Sequence, residues 1–318
     1  MSETTTETHV LDNVICVVLD ITEWTGRARL LHDDIGDSEH LPPQELANLG
    51  SKKLVDPRHL RDFSALKRRA ERILSRTGTR FLSGWIIAPE KLDEVSSELN
   101  NLRAQFEQKK VELLAHYNEI IEEWCALYPD WAASIRKAAH DESYVRRQLQ
   151  FRWHAFRVQP PAEEADDQLA EEVGGLADEL WRGIAREAEE SLETSFLGRE
   201  KVTRKALRPL KRIQDKLNSL SFLDDRIQPV AEDIDQILDE LPKTGPIEGD
   251  ELFRIIAILS VLASPERAKR HGQDLRDGVH SSEMPDTPEE VQEEPTTPDT
   301  AQATESDTDT EPAAAGGF

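Results

Sequence analysis

Cysteine is nearly absent from this chain, and the two that occur, Cys16 and Cys125, stand far apart in apolar surroundings. Neither belongs to a CxxC pair or a Cys/His cluster, which argues against a zinc site. Two buried thiols in a reducing compartment are expected instead. Aromatic residues are also scarce, at 6% against 32% charged, a balance that suits solvated helices better than one large core. Long apolar runs are missing. The longest, residues 14–19 and residues 255–263 (broken by Ser260), fall far short of the ~20 needed to cross a bilayer. The opening MSETTTETHV is polar and acidic, the opposite of a signal peptide. These absences predict a cytoplasmic protein with no membrane partner.

Lysine and arginine vanish after Arg276, while twelve acidic residues follow it, so the tail carries half of the net charge of −24. The body remains moderately acidic, which disfavours a general nucleic-acid coat but leaves room for a local basic face. Beyond Arg276 the Pro, Thr, Glu and Asp bias leaves too little apolar surface to offset chain entropy, and a disordered acidic tail is expected.

What the chain has in plenty is helical periodicity. LDNVICVVL (residues 11–19) reads as a buried strand, and a loop-rich stretch follows. Pro57 opens a helix through Arg76 with Leu60, Phe63, Leu66, Ala70, Ile73 and Leu74 on one face. Residues 81–88 (FLSGWIIA) look like a strand stopped by Pro89. Leu92, Val95, Leu99, Leu102 and Phe106 then step by three and four, and the register runs on through Lys109, Leu113, His116 and Ile120. That heptad seam, with two polar interruptions, predicts one helix over residues 90–127. Pro129 ends it, and a short helix over residues 131–139 packs back. LQFRWHAFRV (residues 149–158) fits a strand with Leu149, Phe151 and Trp153 on one face, and fits a helix almost as well.

A second helical region starts near Ala162, with Leu169, Val173, Leu176 and Leu180 in heptad spacing. Its register blurs from Gly183 to Gly198 and recovers at Leu210, Ile213, Leu217 and Leu220, where Pro209 should kink or break it. A third series runs from Leu223 through Ile227, Val230, Ile234 and Ile237 to Leu241. A turn over residues 242–249 precedes an apolar helix over residues 250–263, with Asp250 as its N-cap.

Amphipathic helices this long must pair. The predicted fold is mainly α, with long antiparallel coiled-coil-like helices and a small β patch near one end. Residues 90–127 are expected to lie against the helix after Pro161, burying Leu99, Leu102, Phe106 and Leu113. The corresponding domains are a disordered N-terminus (1–10), a small α/β head (11–89), a long helical coiled-coil region (90–223), C-terminal helices (224–264) and a disordered acidic tail (265–318).

Catalytic signatures do not emerge. Gly50-Ser51-Lys52-Lys53 lacks the first spaced glycine and the following Ser or Thr of a phosphate loop. His32, Asp33, Asp34, Asp37, Glu39 and His40 are metal-ligand types, but their spacing matches no ligand pattern, and a solvated loop is favoured. Carboxylate pairs are abundant because the chain is acidic, and no serine or cysteine has a nucleophile-elbow context. No catalytic, cofactor or metal residue is assigned.

The unusual local feature is basic. Arg199, Lys201, Arg204, Lys205, Arg208, Lys211, Arg212 and Lys216 face only Glu200 and Asp215 in the same stretch. On one helix, Arg204, Arg208 and Lys211 would form one row and Lys205, Arg212 and Lys216 another. Such rows could grip phosphates, or serve as a flank facing acidic helices such as the one carrying Glu119, Glu122 and Glu123. A smaller basic set comprises Lys67, Arg68, Arg69 and Arg72. The chain also finishes on an acidic segment with a terminal Phe318, the form of a docking peptide.

Several stretches resemble the bacterial domain-of-unknown-function family 3150, found in mobile elements and phage-like islands. They are Leu41-Pro42-Pro43, Leu49-Gly50-Ser51-Lys52-Lys53, FSALKRRAERIL (63–74), GTRFLSGWIIAP (78–89), KLNSLSFL (216–223) and LPKTGPIEG (241–249). The resemblance spans about residues 11–263 and brings no established activity or site residues. Genes of that family often neighbour a MoxR-like AAA ATPase and a von Willebrand A-domain protein, which implies an accessory role. The expected function is therefore a non-enzymatic helical scaffold or adaptor in a multiprotein system. The alternative is a nucleic-acid-binding accessory protein in recombination or defence. Protein partners are expected, nucleic acid less so, and a homo-oligomer is open.

Overall fold

The computed structural model describes residues 10–35, 47–159 and 167–278. The first nine residues, most of the acidic tail, and Asp37, Glu39 and His40 lie outside the described residues.

The β-branched run forms β1 (Ile15–Thr22), which starts later than expected because Leu11 belongs to a helical turn before it. β2 (Arg27–Arg29) and β3 (Ser51–Lys53) make a small antiparallel pair. Pro57 opens a 3-10 turn, capped by the Asp56 carboxylate on the Arg58 backbone N–H at 2.9 Å, and α1 (Arg61–Thr77) follows. Its buried face is Phe63, Leu66, Ala70 and Leu74.

Residues 81–88 are not one strand. They contribute to a hairpin, β4 (Gly78–Phe81) and β5 (Gly84–Ile87), turning at Leu82-Ser83. Leu82 holds a φ of +50°, a strained value for a side chain other than glycine. A Cβ on Gly84 would meet the Val17 carbonyl oxygen at 2.6 Å, so glycine lets β5 approach β1.

The heptad seam is real, but its helix is broken. α2 (Leu92–Ala115) stops and α3 (Tyr117–Leu127) restarts around His116. The seam's polar positions explain the break. Lys109 and His116 are exposed, and the break turns Tyr117 into the core, edge-on to Trp24 at 5.6 Å, where a continued register would bury His116. Val95, Leu99, Leu102, Phe106, Leu113 and Ile120 are all buried. Their partners are not the helix after Pro161. Phe106 packs on Phe63 of α1 at 4.9 Å between ring centroids and on Phe151 at 5.6 Å. Adjacent α1 and the sheet already offer an apolar surface, so no distant helix is required.

α4 (Ala132–Ala138) packs against α3, and α5 (Glu142–Gln148), capped by Asp141, leads into β6 (Gln150–Phe156). The strand alternative is thus the observed one for this segment. β6 pairs along β1, giving an antiparallel sheet in the order β4-β5-β1-β6.

Beyond it, α6 (Asp167–Gly174) and α7 (Leu176–Ser191) end in a π-turn, Leu192–Phe196, closed by Leu197 N–H on the Leu192 carbonyl at 2.9 Å. The extra residue per turn accounts for the register blurring before Gly198. The expected start near Ala162 lies outside the described residues, and residues 167–220 are several elements, not one helix. β7 (Lys201–Val202) and a 3-10 turn precede α8 (Arg208–Ser219), and Pro209 lies in the first turn of α8: of the two expected outcomes the helical region is broken here, not kinked, and proline starts the new helix. α9 (Ile227–Glu240) carries the third apolar series, and β8 (Ile247–Glu248) returns to pair with β7. α10 (Gly249–Leu262) has Glu248 at its N-cap with no side-chain cap, so Asp250 sits in the first turn and does not cap.

A last helix, α11 (Pro265–Arg276), was not expected, because residues 265–318 read as tail. Its charged composition hides two anchoring positions, Ala268 and Gly272, both buried. A Cβ on Gly272 would meet the Arg226 carbonyl oxygen at 2.3 Å, and this close approach seats α11 on α9.

The molecule is mainly helical with a four-stranded antiparallel sheet at its centre, not a β patch at one end of a coiled coil. Alternation along β1 and β5 explains the placement. Ile15, Val17, Ile21, Trp85 and Ile87 join a first core with α1, α2 and α3. Cys16, Val18, Phe81 and Ile86 point the other way, onto Val173 and Leu176 at the α6–α7 junction. α7 continues from there into a second core with α8, α9, α10 and α11.

Candidate functional site

The eight basic residues between 199 and 216 do not line one helix. Arg199 lies in a loop, Lys201 in β7, Arg204 and Lys205 in the 3-10 turn, and Arg208, Lys211, Arg212 and Lys216 in α8. Five of them, Arg199, Lys201, Lys205, Arg208 and Lys211, are exposed and have no ion-pair partner among the described residues. Arg204 is tied to the Pro242 carbonyl. Arg212 pairs with Glu187 of α7 at 2.9 Å. Lys216 is 5% exposed, and its Nζ donates to the Ser75 carbonyl at the end of α1, 2.9 Å away. The acidic helix proposed to face this flank makes other pairs: Glu122 binds Arg136 and Glu119 binds His116.

Lys216 and Arg212 instead meet the smaller basic set. α1, α2 and β4 on one side and α7 and α8 on the other enclose a cleft of about 1000 Å³. α1 lines it with Arg69, Arg72 and Arg76, spaced by three and four residues along one face. β4 adds Arg80, whose guanidinium lies 3.7 Å from the Trp85 ring centroid, a cation–π contact that fixes its plane. α7 adds Arg186. With Arg212 and Lys216 these are seven cations, against Glu98, Glu179, Glu187 and Glu190.

The ion pairs leave a surplus. Arg76 pairs with Glu98, Arg186 with Glu179 and Arg212 with Glu187. Arg69 only donates to the Gln105 amide oxygen at 3.2 Å, and Arg72 makes no hydrogen bond or ion pair among the described residues. Lys216 sits at the floor with no carboxylate in contact among the described residues. Burial pushes its ammonium down to about 8, against the raising pull of Glu187 and Glu179. The spacing of Arg69, Arg72 and Arg76 was legible in the sequence, although Arg76 stood outside the set singled out there. Arg80 and Arg186 carried no signal, because only the tertiary fold brings β4 and α7 to α1. Of the remaining two in the smaller set, Lys67 lies 3.6 Å from Glu23 and Arg68 is exposed.

Two other sequence features resolve into structure. Asp34, from the metal-like loop, pairs with Lys52, from the incomplete phosphate loop, at 2.6 Å, and both side chains are largely buried. Burial would raise the Asp34 pKa, but hydrogen bonds from Lys52, Ser134 and the Leu31 backbone N–H, with the Lys52 charge, bring it to about 2. The pair latches the β2–β3 hairpin to α4, and among the described residues no three His, Cys, Asp or Glu are grouped to hold a metal. Cys16 and Cys125 are buried, and burial raises both thiols.

One exposed apolar corner stands out. Leu127, Tyr128 and Trp131, where α3 turns into α4, are 64%, 47% and 39% exposed, and Tyr128 leans on Trp124 at 4.7 Å.

No helix among the described residues is long and apolar enough to cross a membrane. No curated protein and no solved structure is detectably similar to the chain. Residues 11–264, which hold the first core, most of the second, the central sheet and the whole cationic cleft, match the model of the family described as protein of unknown function (DUF3150), and the chain belongs to that family.

Proposed function

We propose that this protein is a non-enzymatic, cytoplasmic helical adaptor within a multiprotein system encoded by a mobile element. The observation that carries the reading is the Leu127–Tyr128–Trp131 corner. Large aromatic side chains left in water at a rigid helix–helix turn have the composition of protein-interface hot spots. The heptad seam cannot serve this purpose, since it is consumed inside the chain. The partner follows from the gene neighbourhoods implied by the family resemblance: a MoxR-like AAA ATPase, with a von Willebrand A-domain protein alongside. Co-expression of the full chain with the neighbouring ATPase, followed by size-exclusion chromatography, tests this. A shared peak is expected for the wild type, and Tyr128→Ala with Trp131→Ala should weaken the complex at least tenfold at unchanged melting temperature. A chain that elutes alone refutes the adaptor.

A second reading, nucleic-acid binding, is favoured by Arg199, Lys201, Lys205, Arg208 and Lys211, which are exposed and have no ion-pair partner among the described residues. Oligonucleotide binding that weakens on charge reversal at Arg208 and Lys211, with a flatter salt dependence, supports it. Absence of binding at about 50 mM salt removes it.

A further inference from the structure

We infer that the cleft between α1 and the α7–α8 pair is a binding site for a small polyphosphorylated molecule, with its phosphates held by Arg69, Arg72, Arg80 and Lys216. Three independent features converge on that ligand class.

The first is the charge balance. After the ion pairs are formed, the cleft keeps four cations, none in contact with a carboxylate among the described residues, and there a single unpaired acid, Glu190, in a chain whose net charge is −24. A monocarboxylate would neutralise only one of the four. A polyphosphate carries several charges along one short chain, and guanidinium forks match its oxygens two at a time.

The second is Lys216. A lysine 5% exposed that uses one N–H on the Ser75 carbonyl has two N–H groups left over. Burying an ammonium without a counter-ion is costly, and the fold does so at the floor of a solvent-open cleft, where an entering anion would complete its shell. Gly183 lies beside it: a Cβ there would stand 3.4 Å from the Lys216 Nζ, an ordinary contact.

The third is preorganisation. Arg80 is stacked on Trp85, and Arg69 is held by Gln105, so these cations reach the ligand with part of their ordering already done. A volume of about 1000 Å³ lies at the upper end of small-ligand sites. It would seat a nucleotide-sized molecule, whereas one phosphate would leave most of it empty. The exposed basic residues of the 201–211 segment lie outside the lining.

The test is calorimetric titration of the full chain, at about 50 mM salt, with inorganic tripolyphosphate and separately with ATP. Saturable binding of at least one probe at a single site is expected. Arg69→Glu with Arg72→Glu, both on the exposed side of α1, should abolish it, and Lys216→Met should weaken it at least tenfold. Lys205→Glu with Lys211→Glu should leave it unchanged. The proposal is overturned if neither probe binds at millimolar concentration, or if binding survives in the Arg69/Arg72 variant. A 12-residue single-stranded oligonucleotide provides the remaining arm. If it displaces tripolyphosphate, binds more tightly, and is lost in the same variant, the phosphates belong to a nucleic-acid backbone and the small-molecule assignment fails. Neither result depends on the aromatic corner.

Discussion

The two cores are built on opposite plans. The first is aromatic and non-local: Trp24, Phe63, Trp85, Phe106, Tyr117 and Phe151 come from the whole length of residues 24–151, stitched by β1 pairing with β6 across some 130 intervening residues. The second is almost wholly aliphatic, with Trp181 and Phe196 its only fully buried large rings among the described residues, and is assembled from helices that follow each other closely in sequence. Such local contacts form quickly, whereas strands distant in sequence must first meet the entropy of closing long loops. The comparison teaches that scarce aromatic residues were not spread thinly; they were concentrated where distant segments must be joined.

The sharpest way to break that comparison is Phe106→Ala. Its ring contacts aromatic residues from both α1 and β6, so its removal should cost ~3–5 kcal/mol by chemical denaturation. A loss below about 1 kcal/mol would mean the seam is not a well-packed core.

Lys216→Met probes the boundary between the cores and should act in the opposite direction. In the fold Lys216 loses its proton near pH 8, and in the unfolded chain near about 10.4. Between those values the unfolded state binds more protons, so stability should rise with pH. The methionine variant should lack that rise and be more stable at pH 7 by about 1–3 kcal/mol, since the buried charge is gone and only one hydrogen bond is lost. A destabilised variant would show that the bond to Ser75 outweighs the burial of the ammonium.

The smallest effect compares one carboxylate from each region. Asp34 holds Lys52 beside the first core. In the second, Asp224 accepts from Arg226 and from the Trp181 indole at 3.1 Å, which brings its pKa to about 2 despite burial. Both depressed values mean stability present above about pH 3.9 and lost as pH falls toward 2. Asp34→Asn and Asp224→Asn should each flatten the acid limb of a melting-temperature profile. If only one does, acid unfolding begins in that region.

Much of this architecture was legible. The buried faces of α1, α2 and α9 follow from apolar spacing alone, as does β1. What periodicity could not give was partnership. Leu99 and Phe106 are buried as expected, yet against α1 and β6, because a heptad reports that a stripe is covered and not by what. The β4–β5 hairpin was missed because Leu82 occupies a conformation that sequence assigns to Gly or Asn. α11 was missed because its anchors are an alanine and a glycine, which add no hydrophobic signal. The cleft was half visible, as two basic clusters more than a hundred residues apart whose meeting only the tertiary fold discloses.

The buried thiols turn the molecule into its own pair of clocks. Cys125 belongs to the first core, and Cys16 to the cluster that joins the sheet to the α6–α7 junction. A maleimide or disulfide reagent reaches neither while the fold is closed, because each thiol is both covered and held protonated by burial. Modification rates therefore count openings. Reaction at Cys125 times the loosening of the first core, and reaction at Cys16 times separation of the sheet from α6 and α7. Equal rates would mark one cooperative unit. A faster Cys16 would mark a hinge beside the cleft that moves while both cores stay intact.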